Sequence, residues 1–303
     1  MKQIRGRKAL VTGAATGIGY RIAQQLGRRG VDLWLVDRDR AALARASQSL
    51  QDLGTEVIAE SMDLTESGVI ERAIERIGQH WGELHILVNN AGIGYYGPTR
   101  DMTVEQWDQI LALNLHAPIR LIRSLLPLLE QQPSSHVANI CSMFGLVTYR
   151  NQAAYQTTKF ALVGLTQSLR IEYAGTGLGF SAICPGFVRD TEFFNTMYTP
   201  PGCGPRTPPR WITCVPQAVA RRTIDAICRN RGIVIMTPLG RWAAGLGLPI
   251  DCFPVLTIGC STWVTVWASV TGTVYAGLHK AVDRISSFMQ RGWSPTIACG
   301  RSG

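Results

Sequence analysis

One stretch limits the fold of this chain more than any other: "KALVTGAATGIGYRIAQQL", residues 8–26. Its first six residues are an apolar run of strand length, and its end has the spacing of an amphipathic helix. Gly13, Gly17 and Gly19 therefore lie on a strand-to-helix turn. Without side chains there, the backbone can approach a pyrophosphate, and the helix start behind it offers free N–H groups and a positive dipole end. Glycine is common in any tight turn of this kind, so the surroundings decide. A second apolar run, "DLWLVD" (32–37), ends in Asp37. That acid lies close to the distance of about 20 residues expected in a βαβ unit that holds a dinucleotide.

The alternation continues along the chain. Strands are expected at 8–13, 32–37, 57–63, 85–90, 136–142, 179–185 and 232–238, with helical patterns between them, as at 66–80 and 152–174. Several of these strands are almost wholly apolar, as in a sheet covered by helices on both faces. The expected fold is α/β, a doubly wound, Rossmann-like parallel sheet of about seven strands. Thr103 and Gln106 have the spacing of a capping box, and Pro118 predicts a kink near Asn114. Residues 190–215 lose periodicity and include "TPPGCGPRTPPRW", which reads as a binding loop or lid. Beyond about residue 240 the alternation stops. The chain thus divides into a dinucleotide-binding catalytic domain (1–240) and an apolar C-terminal extension (241–303).

Composition removes several functions. The formal net charge of +9 is spread along the chain, with no basic run carrying interleaved aromatics, so no nucleic-acid partner is expected. The eight cysteines form no C-x-x-C pair and no ligand spacing with the five histidines, so no metal is expected. With no signal peptide, free thiols in a cytoplasmic protein are the simplest reading. Of 30 basic residues only four are lysines: Lys2, Lys8, Lys159 and Lys280. A lysine at 159, in a chain that otherwise uses arginine, singles that position out.

Around the glycine turn other residues fit a dinucleotide. The Asp37 carboxylate can accept hydrogen bonds from the adenosine ribose and repels a 2′-phosphate, which favours NAD. Arg38 beside it could pair with that phosphate, so NADP stays open. Asp63 ends the third strand within reach of adenine, although an acid there also suits a helix start. "NNAG" (89–92) ends the fourth strand with small residues at Ala91 and Gly92 beside Asn90. Further along, "SMFGLVTYRNQAAYQTTK" places Ser142 thirteen residues before Tyr155 and Lys159 four after it. Hydride transfer to or from a carbinol carbon needs an acid/base group for the oxygen's proton. A free tyrosine, with pKa near ~10, is poorly matched to neutral pH. A lysine one turn away on the same helix face favours its phenolate. Ser142, ending a neighbouring strand, could hold the substrate oxygen against the Tyr155 hydroxyl.

"TGAATGIG", "NNAG", Asn114 in "LALNLHAP", Ser142, "YQTTK" and "CPGFV" follow one another in an order that resembles the short-chain dehydrogenases/reductases over residues 5–240. The resemblance implies an NAD(P)-dependent alcohol dehydrogenase or carbonyl reductase and a homodimer or homotetramer. It implies that Lys159 also binds the nicotinamide ribose and that Asn114 helps hold a water in a proton relay. It extends the cofactor contacts to Thr16, Ile18, Leu64, Tyr155, Pro185, Gly186, Val188 and Thr191. One position departs from the family. The threonine usual five residues after the proline of "PG" is Asp190 here, with Thr191 following. Either the loop shifts so that Thr191 serves, or backbone near Val188 holds the carboxamide.

Substrate contacts are expected from Phe144, Tyr149, Phe187, Phe193, Phe194 and Trp211. The set is aromatic, with no pair of charges for a phosphate or carboxylate, and implies a hydrophobic alcohol or ketone. From Cys252 to His279 the chain has no charged residue. A membrane span, an interfacial anchor, an apolar flap on the body or on another subunit, and a tail with little native role are all open readings. Two other functions also stay open: a nucleotide-binding sensor on the same fold, and a membrane-associated scaffold.

Overall fold

The computed structural model describes residues 1–194, 196–202, 208, 210 and 213–236. The chain divides into two compact units, Met1–Val255 and Leu256–Gly303, and every element below belongs to the first. The boundary expected at 240, the uncharged stretch 252–279 and Trp211 lie outside the described residues.

In chain order the elements are β1 (Lys8–Thr12), α1 (Gly17–Gly27), β2 (Asp32–Asp37), α2 (Arg40–Gln51), β3 (Val57–Ser61), α3 (Val69–Trp81), β4 (Ile86–Asn89) and α4 (Val104–Leu111). After them come α5 (Ala117–Glu130), β5 (Ser135–Ile140), α6 (Ala153–Glu172), β6 (Leu178–Pro185), β7 (Phe187–Val188), β8 (Thr213–Cys214), α7 (Pro216–Arg229) and β9 (Ile233–Met236). Seven strands form one parallel sheet in the order β3-β2-β1-β4-β5-β6-β9, the expected doubly wound arrangement.

Period-two alternation of apolar residues sorts each strand's side chains into two cores. Ala9 and Val11, Leu33 and Leu35, Ile86 and Val88 pack on one face with Ile22 and Leu26 of α1, Leu43 of α2 and Ile224 of α7. Leu10, Trp34, Val36 and Leu87 point the other way, onto Ile70 and Ile77 of α3 and Leu121 and Leu125 of α5. Burying each of the Val, Leu and Ile side chains among them contributes about 1.5–3 kcal/mol. Both faces are covered, which explains why the strands read as continuous apolar runs.

Helix ends follow local chemistry. Thr103 and Gln106 form the capping box at the start of α4, with reciprocal bonds of 3.2 Å. Gly82 takes a left-handed conformation (φ 64°) and stops α3. Helix α3 starts at Val69 and not at 66, because Gly68 before it is also left-handed (φ 74°). Strand β3 stops at Ser61, two residues short of expectation, so Asp63 sits in the loop beyond it. Between α4 and α5, residues Ala112–His116 form a π-helical turn. The sheet order reverses between β1 and β4, and their carboxyl ends open a crevice there.

Candidate active site

The crevice is built from the strand ends. Beyond β1, Thr12 Oγ1 accepts from the N–H groups of Asn90 (3.0 Å) and Ala91 (3.1 Å). Asn90 Nδ2 donates back to the carbonyls of Thr12 (3.1 Å) and Gly13 (2.9 Å). These bonds sew the glycine turn to "NNAG" and place Gly13, Asn90, Ala91 and Gly92 along one wall. A methyl group at Gly19 would lie 2.0 Å from the Gly13 carbonyl oxygen, so only glycine lets α1 start this close to β1. Gly17 differs: it is left-handed (φ +55°), lines the crevice, and a methyl group there would meet only the Thr191 side chain, at 3.6 Å. The space over the helix start, beside Thr16 and Ile18, is thus an open cradle of backbone N–H groups.

Asp37 reaches this cradle from the end of β2. Its Oδ2 accepts from the Ala15 N–H (3.0 Å) and its Oδ1 from the Asp39 N–H (3.1 Å). The carboxylate thereby orders the glycine turn as well as lining the crevice, a structural duty that its sequence position did not show. Each oxygen keeps a second lone pair for a ribose hydroxyl. Arg38 lines the same end and is exposed. Asp63 spends Oδ1 on the Thr65 N–H (2.9 Å) and hydroxyl (2.7 Å), and with Leu64 it borders the crevice. Open glycine cradle, helix start and ribose-facing acid together fit a dinucleotide.

At the far end stand Ser142, Tyr155 and Lys159, all buried and all lining the crevice. Ser142 follows β5 in extended backbone, and its Oγ accepts from the Phe144 N–H at 3.1 Å. Tyr155 and Lys159 share one face of α6, with Lys159 Nζ 5.6 Å from the centre of the Tyr155 ring. Nζ donates to the Ile140 carbonyl at 2.9 Å, so the strand end holds the ammonium in place. Burial pushes the Tyr155 phenol above its ordinary pKa, and the neighbouring Ser142 hydroxyl pulls it back down. Burial also lowers the pKa of Lys159. Burial therefore dominates the Tyr155 phenol, and the group that lowers it is Ser142 rather than Lys159. The phenol is held protonated.

Asn114 sits in the π-helical turn but does not line the crevice; its neighbour Leu113 does. Its Oδ1 accepts from Ile93 N–H (2.9 Å), and its Nδ2 donates to the Ile93 carbonyl (2.8 Å) and Thr158 Oγ1 (3.3 Å). The side chain is fully committed to clamping residue 93 against α6. The kink expected from Pro118 takes the form of this turn. Proline has no N–H, so residue 118 cannot supply the i→i−4 bond to the Asn114 carbonyl.

Phe144, Phe187, Phe193 and Phe194 line the crevice next to Tyr155. Phe144 and Phe187 meet edge to face at 5.7 Å, and Phe193 lies 5.7 Å from the Tyr155 ring. Tyr149 stands behind Phe144 (ring centres 5.7 Å apart) and does not line the crevice, contrary to expectation. The loop leaves β6 through Pro185 and Gly186. It is pinned at its base by pairing of β7 with β8 and at its tip by bonds from Tyr96 N–H to the Tyr198 carbonyl (2.9 Å) and Tyr198 N–H to the Gly94 carbonyl (3.0 Å). Asp190 stands where the family's usual threonine would be. It takes a left-handed turn (φ 59°) and its side chain is exposed beside Arg189, which lets Thr191 and Val188 line the crevice. Sequence reasoning did not single out Ile93, Gln152 or Met197, which also line it. Gln152 had a signal, lying one turn before Tyr155. Met197 had none, because only the folding of the loop brings it in.

The short chain dehydrogenase family matches residues 7–200. A 1-deoxy-11-beta-hydroxypentalenate dehydrogenase of Streptomyces exfoliatus is 34% identical over 204 residues, covering 66% of this chain and 74% of that protein. A short-chain dehydrogenase/reductase from Burkholderia phymatum, solved in complex with NAD, is 26% identical with a TM-score of 0.71, covering 84% of this chain and 99% of that one. A short-chain dehydrogenase from Sphingobium yanoikuyae, solved with NADPH, is 28% identical with a TM-score of 0.70, covering 80% of this chain and 92% of that one. Both nicotinamide cofactors thus occur among its structural relatives. The chain belongs to the short-chain dehydrogenase family of oxidoreductases.

Proposed function

We propose that the protein is an NAD-preferring dehydrogenase or reductase that interconverts a secondary alcohol and a ketone on a hydrophobic small molecule. The observation that carries this reading is the convergence of Ser142, Tyr155 and Lys159 at the aromatic end of a crevice whose other end is the glycine cradle. Bound there, the nicotinamide supplies the hydride acceptor or donor. The backbone of the glycine turn and Thr16 and Ile18 hold the pyrophosphate, Asp37 the ribose, Asp63 and Leu64 the adenine side, and Val188 and Thr191 the carboxamide. Ser142 holds the substrate oxygen. Tyr155 takes that oxygen's proton when the alcohol is oxidised and returns it when the carbonyl is reduced. Lys159 holds the ribose beside it and supplies positive charge. Asn114 is a positioning residue, acting through residue 93 and through its main-chain carbonyl.

The Streptomyces relative is named for oxidation of 1-deoxy-11-beta-hydroxypentalenate, and the four phenylalanines on the substrate side of this chain support an apolar substrate skeleton. The test is a screen of hydrophobic secondary alcohols and ketones with NAD and NADP, following absorbance of the reduced nicotinamide. Tyr155→Phe is expected to lower kcat at least ~10³-fold on any substrate found. Full activity in that variant overturns the mechanism, and a clear NADP preference overturns the role of Asp37.

A further inference from the structure

Gln152 is 4% exposed, its Oε1 is buried with no hydrogen-bond partner, and it lines the crevice beside the reacting end. It is the N-cap residue of α6, yet its side chain makes no capping bond. Its neighbour Gln156 shows the usual solution for a buried amide. There Oε1 accepts from Tyr149 N–H (3.0 Å) and Nε2 donates to the Tyr149 carbonyl (2.6 Å). A buried amide left unmatched is costly, and a crevice wall is where a ligand can match it.

We infer that Gln152 is a specificity-determining residue that hydrogen-bonds a second, neutral polar group, a hydroxyl, on the substrate. The inference rests on the dehydrogenase reading above. Gln152 and Tyr155 are three residues apart at the start of α6, so they face the same side about one turn from each other. The second hydroxyl therefore lies a few bonds from the reacting carbon. A hydroxyl satisfies either end of an amide, as donor to Oε1 or acceptor from Nε2. A charged group is disfavoured. The amide is neutral, and Phe144, Phe187 and Phe193 line the same crevice. Sites built to bond a substrate hydroxyl discriminate strongly against the analogue without it, because the buried protein group is then left unpaired.

The experiment compares diols with mono-alcohols of the same apolar skeleton, the hydroxyls separated by two to four carbons. For at least one pair, kcat/KM should favour the diol at least ~10-fold in the native enzyme. In Gln152→Met that ratio should fall towards one, with Gln152→Leu as the second variant should the first not fold. A structural role would lower both members equally and leave the ratio intact, and that outcome overturns the inference. So does a native ratio near one for every pair. If no member is turned over with either cofactor, the reaction class fails separately. Calorimetric titration of the same pairs into NAD-loaded protein then decides Gln152: a diol preference lost in Gln152→Met supports it, and equal affinities or no binding overturn it.

Discussion

At the scale of single residues, the reacting end is governed by burial. The Tyr155 phenol is raised by burial and relieved by Ser142. On the proposed mechanism alcohol oxidation needs the Tyr155 phenolate, so its kcat/KM should climb with pH, whereas carbonyl reduction should fall as the phenol is lost. Ser142→Ala should move the rising limb to higher pH, because it removes the group that favours the phenolate. A pH–rate profile of the two enzymes checks this, and superimposable limbs would remove Ser142 from the proton's environment. Asp37 accepts a bond from Ala15 and lines the crevice, where the proposed function has it hold the ribose. Asp37→Ser should raise the KM for NAD at least ~10-fold and shift the NAD/NADP ratio towards NADP, since Arg38 stays in place. Parallel KM titrations with both cofactors measure it.

At the scale of elements, the glycine turn contains two different requirements. Gly19→Ala forces a methyl group onto the Gly13 carbonyl, so it should lower the melting temperature strongly, at a cost of several kcal/mol. Gly17→Ala meets only the Thr191 side chain, at ordinary contact distance, and pays backbone strain of about 1–2 kcal/mol, so its loss should appear in cofactor affinity more than in melting. Thermal melts with and without NAD separate the two. This turn was legible in the sequence because glycine spacing, a preceding apolar run and Asp37 are all local signals. Ser142, Tyr155 and Lys159 were legible for the same reason, since a strand end and one helix face carry them. The π-helical turn at Ala112–His116 showed only as a proline two residues too late. Strands of two residues, such as β7 and β8, have no periodicity to read. The missing partner of Gln152 is a property of packing, and no residue pattern encodes it.

At the scale of the whole molecule, the two-faced core leaves a few polar groups sealed inside the fold. His136 of β5 is buried under the sheet, and burial lowers its pKa to about 3. Its Nε2 lies 2.8 Å from Ser181 Oγ, whose hydroxyl donates to the Arg231 carbonyl, so the ring donates to Ser181. His85 is also lowered by burial. The unfolded chain protonates both near pH 6.5 and the folded chain only at lower pH, so stability falls as pH drops below 6.5. Between pH 6.5 and 5 the His136 contribution alone amounts to about 2 kcal/mol, before the carboxylates begin to titrate. Urea unfolding at pH 7.5, 6 and 5 checks the slope, and a flat profile above pH 5 would show that the folded state accepts the protons.

The loop after β6 touches both halves of the crevice. Thr191 faces Gly17 in the glycine cradle, while Phe193 and Met197, a few residues on, roof the space beside Tyr155. One short segment therefore reports to two occupants. If the proposed cofactor steadies the Thr191 end and the proposed alcohol meets Phe193 and Met197, binding of one should favour the other, and linkage makes the effect mutual. Dead-end titrations should show an unreactive alcohol analogue and NAD each tightening the other by the same factor. Two residues apart in one short turn, Thr191 and Phe193 thus border the two ends of the crevice.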